Sequence, residues 1–144
     1  MISKELLSEM LSAGKYPIHE ITEKNHIITY SVIMDTYGDI ISHLSTNTIN
    51  IYELAYKCRM WARNKGYQIT AMQPVVPDDT GAQVINYWFK SYITKIDIGS
   101  YDPPYQILTF DCNVESEPEA IFRACEWVYK EVIKDYFKDS EDGK

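Results

Sequence analysis

The sequence predicts an α/β domain of the α+β type, in which an antiparallel sheet and two main helices form two layers. Two amphipathic segments with helix-capping signals and three β-rich runs between them predict this class. A composition of 45% hydrophobic and 24% charged residues is typical of a globular chain. We predict an α-β-β-β-α body over residues 48–138, an N-terminal helix and hairpin appended over 1–47, and a frayed polar tail over 139–144, all within a single domain.

The N-terminal segment predicts a short helix followed by a hairpin. Apolar residues recur at helical spacing over residues 3–12, and Gly14 and Pro17 then end the pattern. Runs rich in β-branched and aromatic residues follow at 26–34 and 40–44, separated by a turn-forming stretch at 35–39. These two runs predict a pair of antiparallel strands.

The next segment predicts the first main helix. Asn50 and Glu53 have the spacing of a capping box, so we expect the helix to begin near Ile51. Its apolar stripe keeps a 3.6-residue period, and Lys65 and Gly66 supply a basic last turn and a left-handed cap.

The second half of the chain predicts three strands and a second main helix. The runs 67–75 and 84–98 flank the turn around Asp78 and predict a hairpin, and 105–112 predicts the third strand. Ser116 and Glu119 again have capping-box spacing, with Pro118 in the tolerant first turn. The apolar face of this helix continues to about residue 137.

Composition and motifs exclude several classes of function. A net charge of −7 disfavours binding to long nucleic acid. The first residues lack the uninterrupted apolar stretch of a signal peptide or membrane span, and three unpaired cysteines fit a reducing compartment, so we expect a cytoplasmic protein. We predict no catalytic site, no metal site and no cofactor, because glycine phosphate loops, serine elbows and paired metal ligands are missing. Cys58 and Cys125 lie on apolar stripes, which predicts buried side chains rather than nucleophiles.

Arginine is the most informative residue type, because the chain has only Arg59, Arg63 and Arg123, all on the two main helices. Helical spacing places each group on a stripe with aromatic residues: Tyr52, Tyr56, Arg59 and Arg63 on one helix, and Arg123, Trp127, Lys130 and Lys134 on the other. Such an edge suits a compact anionic ligand with a ring, such as a nucleotide. Alternatively, the arginines cover tryptophan rings at the core edge and pair with nearby glutamates.

Aromatic residues form a second cluster at Tyr87, Trp88 and Phe89. On one strand these side chains would alternate between the two sheet faces, and two helices can cover only one face. Some of these rings therefore meet the N-terminal segment or a partner molecule.

The strings ELAYKCRMWARNKGYQI and FDCNVESEPEAIFRACEWVYKEV resemble small bacteriophage and prophage proteins with the phage ABA-sandwich domain, over residues 50–135. The architecture is also similar to Thoeris anti-defence proteins, oligomeric sponges that sequester cyclic ADP-ribose-type signals and other cyclic nucleotides without cleaving them. The resemblance implies a phage-encoded, non-enzymatic homo-oligomer with a pocket at a subunit interface. The candidate ligand-binding residues are Tyr56, Arg59, Arg63, Trp88, Phe89, Arg123, Trp127 and Lys130.

Two other functions stay open. The acidic surface fits an inhibitor that binds a host defence protein, as anti-CRISPR proteins do, by imitating nucleic acid. A nucleotide-processing enzyme would need an acid or base near the arginines, and Glu53 and Glu126 are the nearest in sequence. The first hypothesis is sequestration of a nucleotide-type immune signal.

Overall fold

A computed structural model describes residues 2–12, 15–35, 42–97, 99–103 and 105–142, and it confirms the α+β class with helices packing on antiparallel sheet. The elements in chain order are α1 (Lys4–Ser12), β1 (Ile18–Lys24), β2 (Ile27–Asp35), β3 (Ser42–Asn50), α2 (Ile51–Asn64), β4 (Tyr67–Met72), β5 (Val75–Pro77), β6 (Gln83–Ile85), β7 (Phe89–Lys95), β8 (Tyr105–Val114) and α3 (Glu117–Asp142). The chain divides into two compact units, Met1–Lys57 and Cys58–Lys144, with the boundary inside α2.

The N-terminal unit contains α1 and an antiparallel sheet in the order β1-β2-β3. Ser3 caps α1, because its Oγ accepts a hydrogen bond from the backbone N–H of Leu6 at 3.1 Å. Leu6 and Leu7 are fully buried, and the Ser8 hydroxyl donates to the carbonyl of Tyr16 at 2.8 Å. The predicted first helix is confirmed.

The N-terminal strands differ from the predicted hairpin. β2 matches the predicted run 26–34, and its antiparallel pairing with the next run is confirmed. β3 shares residues 42–44 with the predicted run 40–44 and extends to Asn50, and residues 36–39 of the predicted turn and 40–41 of that run lie outside the described residues. The sequence prediction missed β1, which pairs with β2 through a two-residue turn at Asn25 and His26. Both turn residues have positive φ, 53° and 64°, as a type I′ turn requires. Asn25 was the available signal, but the charged side chains of β1 conceal its strand pattern.

The C-terminal unit is built on an antiparallel sheet in the order β4-β7-β8, with α3 packed against all three strands. The register places Ile69 opposite Ile93, and both side chains are buried with Ser91 on the same face. The last turns of α2 contact α3 through two pairs, Cys58 with Cys125 and Trp61 with Tyr129. The residue number increases on both helices from the first pair to the second, so α2 and α3 run in the same direction.

The helix boundaries confirm the predicted caps. The Asn50 side-chain oxygen accepts from the N–H of Tyr52 at 2.8 Å, and Ser116 Oγ accepts from the N–H of Glu119 at 3.3 Å. Gly66 follows α2 with φ of 92°, the conformation that a left-handed cap needs. The predicted end of α3 near residue 137 is wrong, because the helix continues through Asp142; residues 143–144 of the predicted tail lie outside the described residues.

The strands between α2 and α3 require a third correction. The predicted pairing of the first two runs and the three-stranded sheet are confirmed, but both runs are interrupted. The first run breaks at residues 73–74 and the second at 86–88, which separates the small β5–β6 hairpin from the main sheet. Consequently Tyr87 and Trp88 lie in the break, and Phe89 is the first residue of β7.

Candidate binding surface

The predicted arginines do not converge within one chain. Trp61 contacts Tyr129 of α3, with ring centroids 6.3 Å apart. Arg59 and Arg63 are each two residues from Trp61, and about 100° of rotation per residue places them on the opposite side of α2. On α3, Trp127 is likewise two residues from Tyr129, on a side turned away from α2. The α2 arginines therefore do not face α3.

Arg59 and Arg63 are both exposed, one turn apart on α2. Among the described residues neither has an ion-pair partner. Arg123 is half exposed and lies 3.8 Å from Glu119, its neighbour one turn earlier on α3, as the core-edge alternative expected. Lys130 is exposed one turn beyond Trp127. Tyr56 is also exposed, on the part of α2 that belongs to the N-terminal unit.

Two of the predicted ligand-binding aromatics have structural contacts. Trp127 packs edge-on against Tyr67, with centroids 6.1 Å apart and rings at 80°. The Lys95 ammonium lies 4.0 Å from the centroid of the same Tyr67 ring, within cation–π range. Phe89 packs against the core residues Val114 and Ala120. These contacts account for Trp127 and Phe89 without a ligand.

The cysteines of the helix pair are buried, as predicted. Cys58 and Cys125 are both fully buried and free of disulfides. Burial raises the pKa of the Cys58 thiol well above its ordinary value, and the hydrogen bond with Cys125 raises it further. A neutral buried thiol is a poor nucleophile.

We expect these two thiols to resist alkylation in the folded protein. In a Cys112→Ser background, iodoacetamide should modify them at least about 100-fold more slowly than in concentrated urea, because reaction requires a costly local opening. Mass spectrometry of peptides over a time course measures the rate. Rapid modification of either thiol without urea would contradict the buried placement.

The exposed apolar side chains concentrate in one segment of the C-terminal unit. We call residues 73–88, which contain β5, β6 and their connections to β4 and β7, the arm. Five of the ten exposed large hydrophobic residues in the described chain lie in these 16 residues. They are Val75 (62% exposed), Val84 (41%), Ile85 (70%), Tyr87 (63%) and Trp88 (37%). Val75 and Ile85 share one face of the hairpin and Val84 lies on the other. Exposed apolar side chains clustered in one segment are typical of an interaction site.

The arm continues the β4–β7 hairpin past the end of β8. The last residue of β8, Val114, pairs with Phe89, so the third strand stops where the arm begins. The Asn86 N–H donates to the Pro74 carbonyl at 2.8 Å, and the Gln73 side chain donates to the Tyr87 carbonyl at 3.1 Å. These bonds hold the base of the arm although no third described strand pairs with it.

The tip of the arm is an ordered turn around Asp78. One carboxylate oxygen of Asp78 accepts from the Thr80 N–H at 2.8 Å, the Thr80 hydroxyl at 2.6 Å and the Ala82 N–H at 3.0 Å. These hydrogen bonds, led by that from the Thr80 side chain, hold the pKa of the Asp78 carboxyl below its ordinary value. Asp78 is therefore ionised at neutral pH.

The rings at the base of the arm form a pair on its surface. Tyr87 and Trp88 are in edge contact, with centroids 5.1 Å apart and rings at 82°. The next residue, Phe89, packs against the cluster that contains Ala120 of α3. Of the predicted aromatic cluster, Phe89 is therefore core and Tyr87 and Trp88 are surface, a division that strand alternation alone did not predict.

Two shallow clefts on the sheet of the N-terminal unit are lined by residues that the structure describes. The larger has a volume of about 260 Å³ and is lined by His19, Glu20, Thr22, Thr29, Tyr30, Ser31 and Thr46. The smaller, about 180 Å³, lies between the end of α1 and the other sheet face, and Tyr30 also lines it. Burial raises the pKa of the Tyr30 hydroxyl. No lysine or arginine lines either cleft, so neither suits a phosphate.

The part of the chain that the structure describes holds no group of three or more His, Cys, Asp or Glu side chains suited to a metal ion. None of the described helices is long and apolar enough to cross a membrane. Comparison of the chain with family models, with curated proteins and with solved structures finds no match in any of the three.

Proposed function

We propose that this protein is a non-enzymatic binding protein that docks its arm into an apolar groove of a partner protein. The observation that carries the proposal is the clustering of Val75, Val84, Ile85, Tyr87 and Trp88 on a hairpin that neither β8 nor another described strand extends. Exposed aromatic side chains are the residues that most often supply binding energy at protein interfaces. A two-stranded hairpin is also only marginally stable alone, so a partner surface would stabilise it.

Charge favours a basic partner. The chain has a net charge of −7, and the only charged residues of the arm are Asp78 and Asp79 at its tip. Opposite charge around the groove would steer the encounter and orient the arm. A host defence protein with a basic channel, the alternative that the sequence left open, has this character. A second copy of this chain has the same acidic character and does not offer the opposite charge to the tip of the arm.

A photo-crosslinking experiment tests the docking. Ile85→p-benzoylphenylalanine is expected to capture a protein that Tyr101→p-benzoylphenylalanine does not, since Tyr101 is a fully exposed aromatic outside the arm. The captured protein is identified, purified and titrated against the unmodified chain. Val75→Ser with Ile85→Ser should weaken its binding by at least about 30-fold, as loss of a hot spot does, whereas Tyr101→Ser should not. Equal capture at both positions, or equal affinity of the serine variant, would refute docking through the arm.

Sequestration of a nucleotide-type immune signal by a phage-encoded oligomer is a second proposal. It is supported by the exposed Arg59 and Arg63 one turn apart on α2, a spacing that suits two phosphate contacts. Because these arginines do not face α3, such a pocket would need a second subunit.

A thermal-shift panel of cyclic dinucleotides, cyclic trinucleotides and cyclic ADP-ribose isomers tests the sequestration proposal. At about 100 times its Kd a ligand adds about 2.7 kcal/mol of stability, and that gain should vanish in Arg59→Ala and persist in Lys65→Ala. A flat panel would reject sequestration of those ligands.

A further inference from the structure

The hydrogen-bond pattern of the arm fixes which backbone groups face outward. The register pairs Val75 with Ile85, Val76 with Val84 and Pro77 with Gln83. Beyond these pairs, the Asn86 N–H donates to the Pro74 carbonyl and the Asp78 N–H donates to the Ala82 carbonyl. Hydrogen-bonded and non-hydrogen-bonded pairs alternate along an antiparallel ladder. Val76 and Val84, which lie midway between these two bonds, therefore form a hydrogen-bonded pair.

The same alternation leaves the outer edge of β6 with free backbone groups. Gln83 and Ile85 belong to non-hydrogen-bonded pairs, so the N–H and C=O of both residues point away from β5. β5 is the only strand that pairs with β6 among the described residues. Both residues are exposed, and Ile85 is the most exposed apolar side chain of the arm. An edge of this kind is a template for another strand.

The opposite edge of the arm is blocked. On β5 the outward positions are Val75 and Pro77, and proline has no N–H to donate. Pro74 stands immediately before the strand. Prolines at an edge prevent strand addition. The two edges of the arm therefore differ, and only that of β6 offers an unbroken set of donors and acceptors.

We propose that β6 binds an extended, basic segment of a partner protein by edge-to-edge strand addition, with outward backbone groups of Gln83 and Ile85 as its hydrogen-bond partners. This inference rests on the proposed function and specifies its mode. Backbone hydrogen bonds supply affinity in such complexes, and alternate side chains supply specificity. An apolar side chain of the segment would lie beside Ile85, whose neighbour on the same face across the hairpin is Val75.

Charge identifies the occupant. Asp78 and Asp79 stand at the turn that leads into β6, and no basic residue lies in the arm. Two copies joined along β6 would bring both acidic turns to one sheet, in a protein that already carries a charge of −7. A segment that alternates lysine with an apolar residue avoids this repulsion and matches the apolar face.

The test uses a defined peptide, acetyl-Lys-Val-Lys-Val-Lys-Val-Lys-amide, and the full-length chain labelled with nitrogen-15. Titration is expected to shift the amide signals of Gln83 and Ile85 and to slow their hydrogen exchange by about tenfold or more, because a new strand protects outward amides. The same peptide with every residue N-methylated has no N–H on either edge and carries methyl groups that obstruct both edges, so it should not protect these amides. Absence of binding by the unmethylated peptide, or binding without protection of these amides, would overturn the proposal.

Edge-specific proline variants provide the matched controls. Gln83→Pro removes an outward donor without breaking the ladder to β5, so we expect peptide affinity to fall by about tenfold while Gln83→Ala binds as the wild type does. Val75→Pro makes the same backbone change on the other edge and should match Val75→Ala. Equal binding by Gln83→Pro and Gln83→Ala would overturn strand addition. If the captured partner still requires Val75 and Ile85 in that case, docking of the apolar face stands without it.

Sedimentation separates the second copy from the peptide. The wild-type chain and the Gln83→Pro variant should sediment as the same species. A self-association lost specifically in Gln83→Pro would show that the β6 edge pairs with another copy, which would overturn the basic segment as its occupant.

Discussion

Replacing Phe122 with alanine is expected to lower the free energy of unfolding of the C-terminal unit by about 3–5 kcal/mol. Phe122 is the largest fully buried side chain of the described chain, with 1% of its surface exposed. It lies on α3, which packs against β4, β7 and β8. Truncation leaves a cavity that a close-packed interior fills only in part. The loss is a large fraction of the about 5–15 kcal/mol that typically stabilises a domain.

Urea unfolding followed by tryptophan fluorescence measures this loss in the right place, because Trp61, Trp88 and Trp127 all belong to the C-terminal unit. The adjacent Arg123→Ala is the control, since its side chain is half exposed and its pair with Glu119 lies at the surface. We expect that control to change stability by no more than about 0.5 kcal/mol. Similar losses in the two variants would contradict the packing of α3.

The helices were predictable from sequence because their signals are local. Asn50 and Ser116 cap α2 and α3 with their own side chains, and Gly66 ends α2 with a backbone conformation that glycine adopts easily. None of these features depends on a distant contact. The end of α3 was less predictable, because a polar sequence can continue a helix once preceding turns are held by packing.

The strands were less predictable because their boundaries depend on pairing. β1 is mostly exposed and charged, and only its pairing with β2 identifies it. The run from 84 to 98 keeps an alternating pattern through residues 86–88, yet the strand breaks there. Local β propensity does not indicate where the neighbouring strand β8 ends. β8 ends opposite Phe89, immediately after the break. The arm therefore became visible only in three dimensions.

The candidate site was predicted only in part, because helical spacing is local whereas the packing around it is not. Helical spacing correctly placed Arg59 and Arg63 on an exposed side of α2. Helical spacing could not show that the side of α2 that carries Trp61 faces α3, because the element that packs against a helix face cannot be read from the helix alone. The aromatic cluster was noticed in the sequence, but its division between core and surface depends on the break before β7.

Trp127→Ala and Trp88→Ala should have opposite effects on stability and on binding. Trp127 packs against Tyr67 of the core sheet, so its truncation should lower the free energy of unfolding by about 2–3 kcal/mol. Trp88 is on the arm and contacts only its neighbour Tyr87 among the described aromatic rings. Because Trp88 is 37% exposed and lies outside the core, its truncation should lower the free energy of unfolding by no more than about 1 kcal/mol.

Far-ultraviolet circular dichroism during urea unfolding compares the two variants without relying on the tryptophan that each has lost. The partner captured through Ile85 then supplies the second measurement, and there Trp88→Ala should weaken binding by at least about 30-fold. Trp127→Ala, studied below its unfolding transition, should bind that partner as the wild type does. If Trp88→Ala were as destabilising as Trp127→Ala, the arm would be packed against its own chain. An arm held in that way could not dock into a partner, and the proposed function would fall with it.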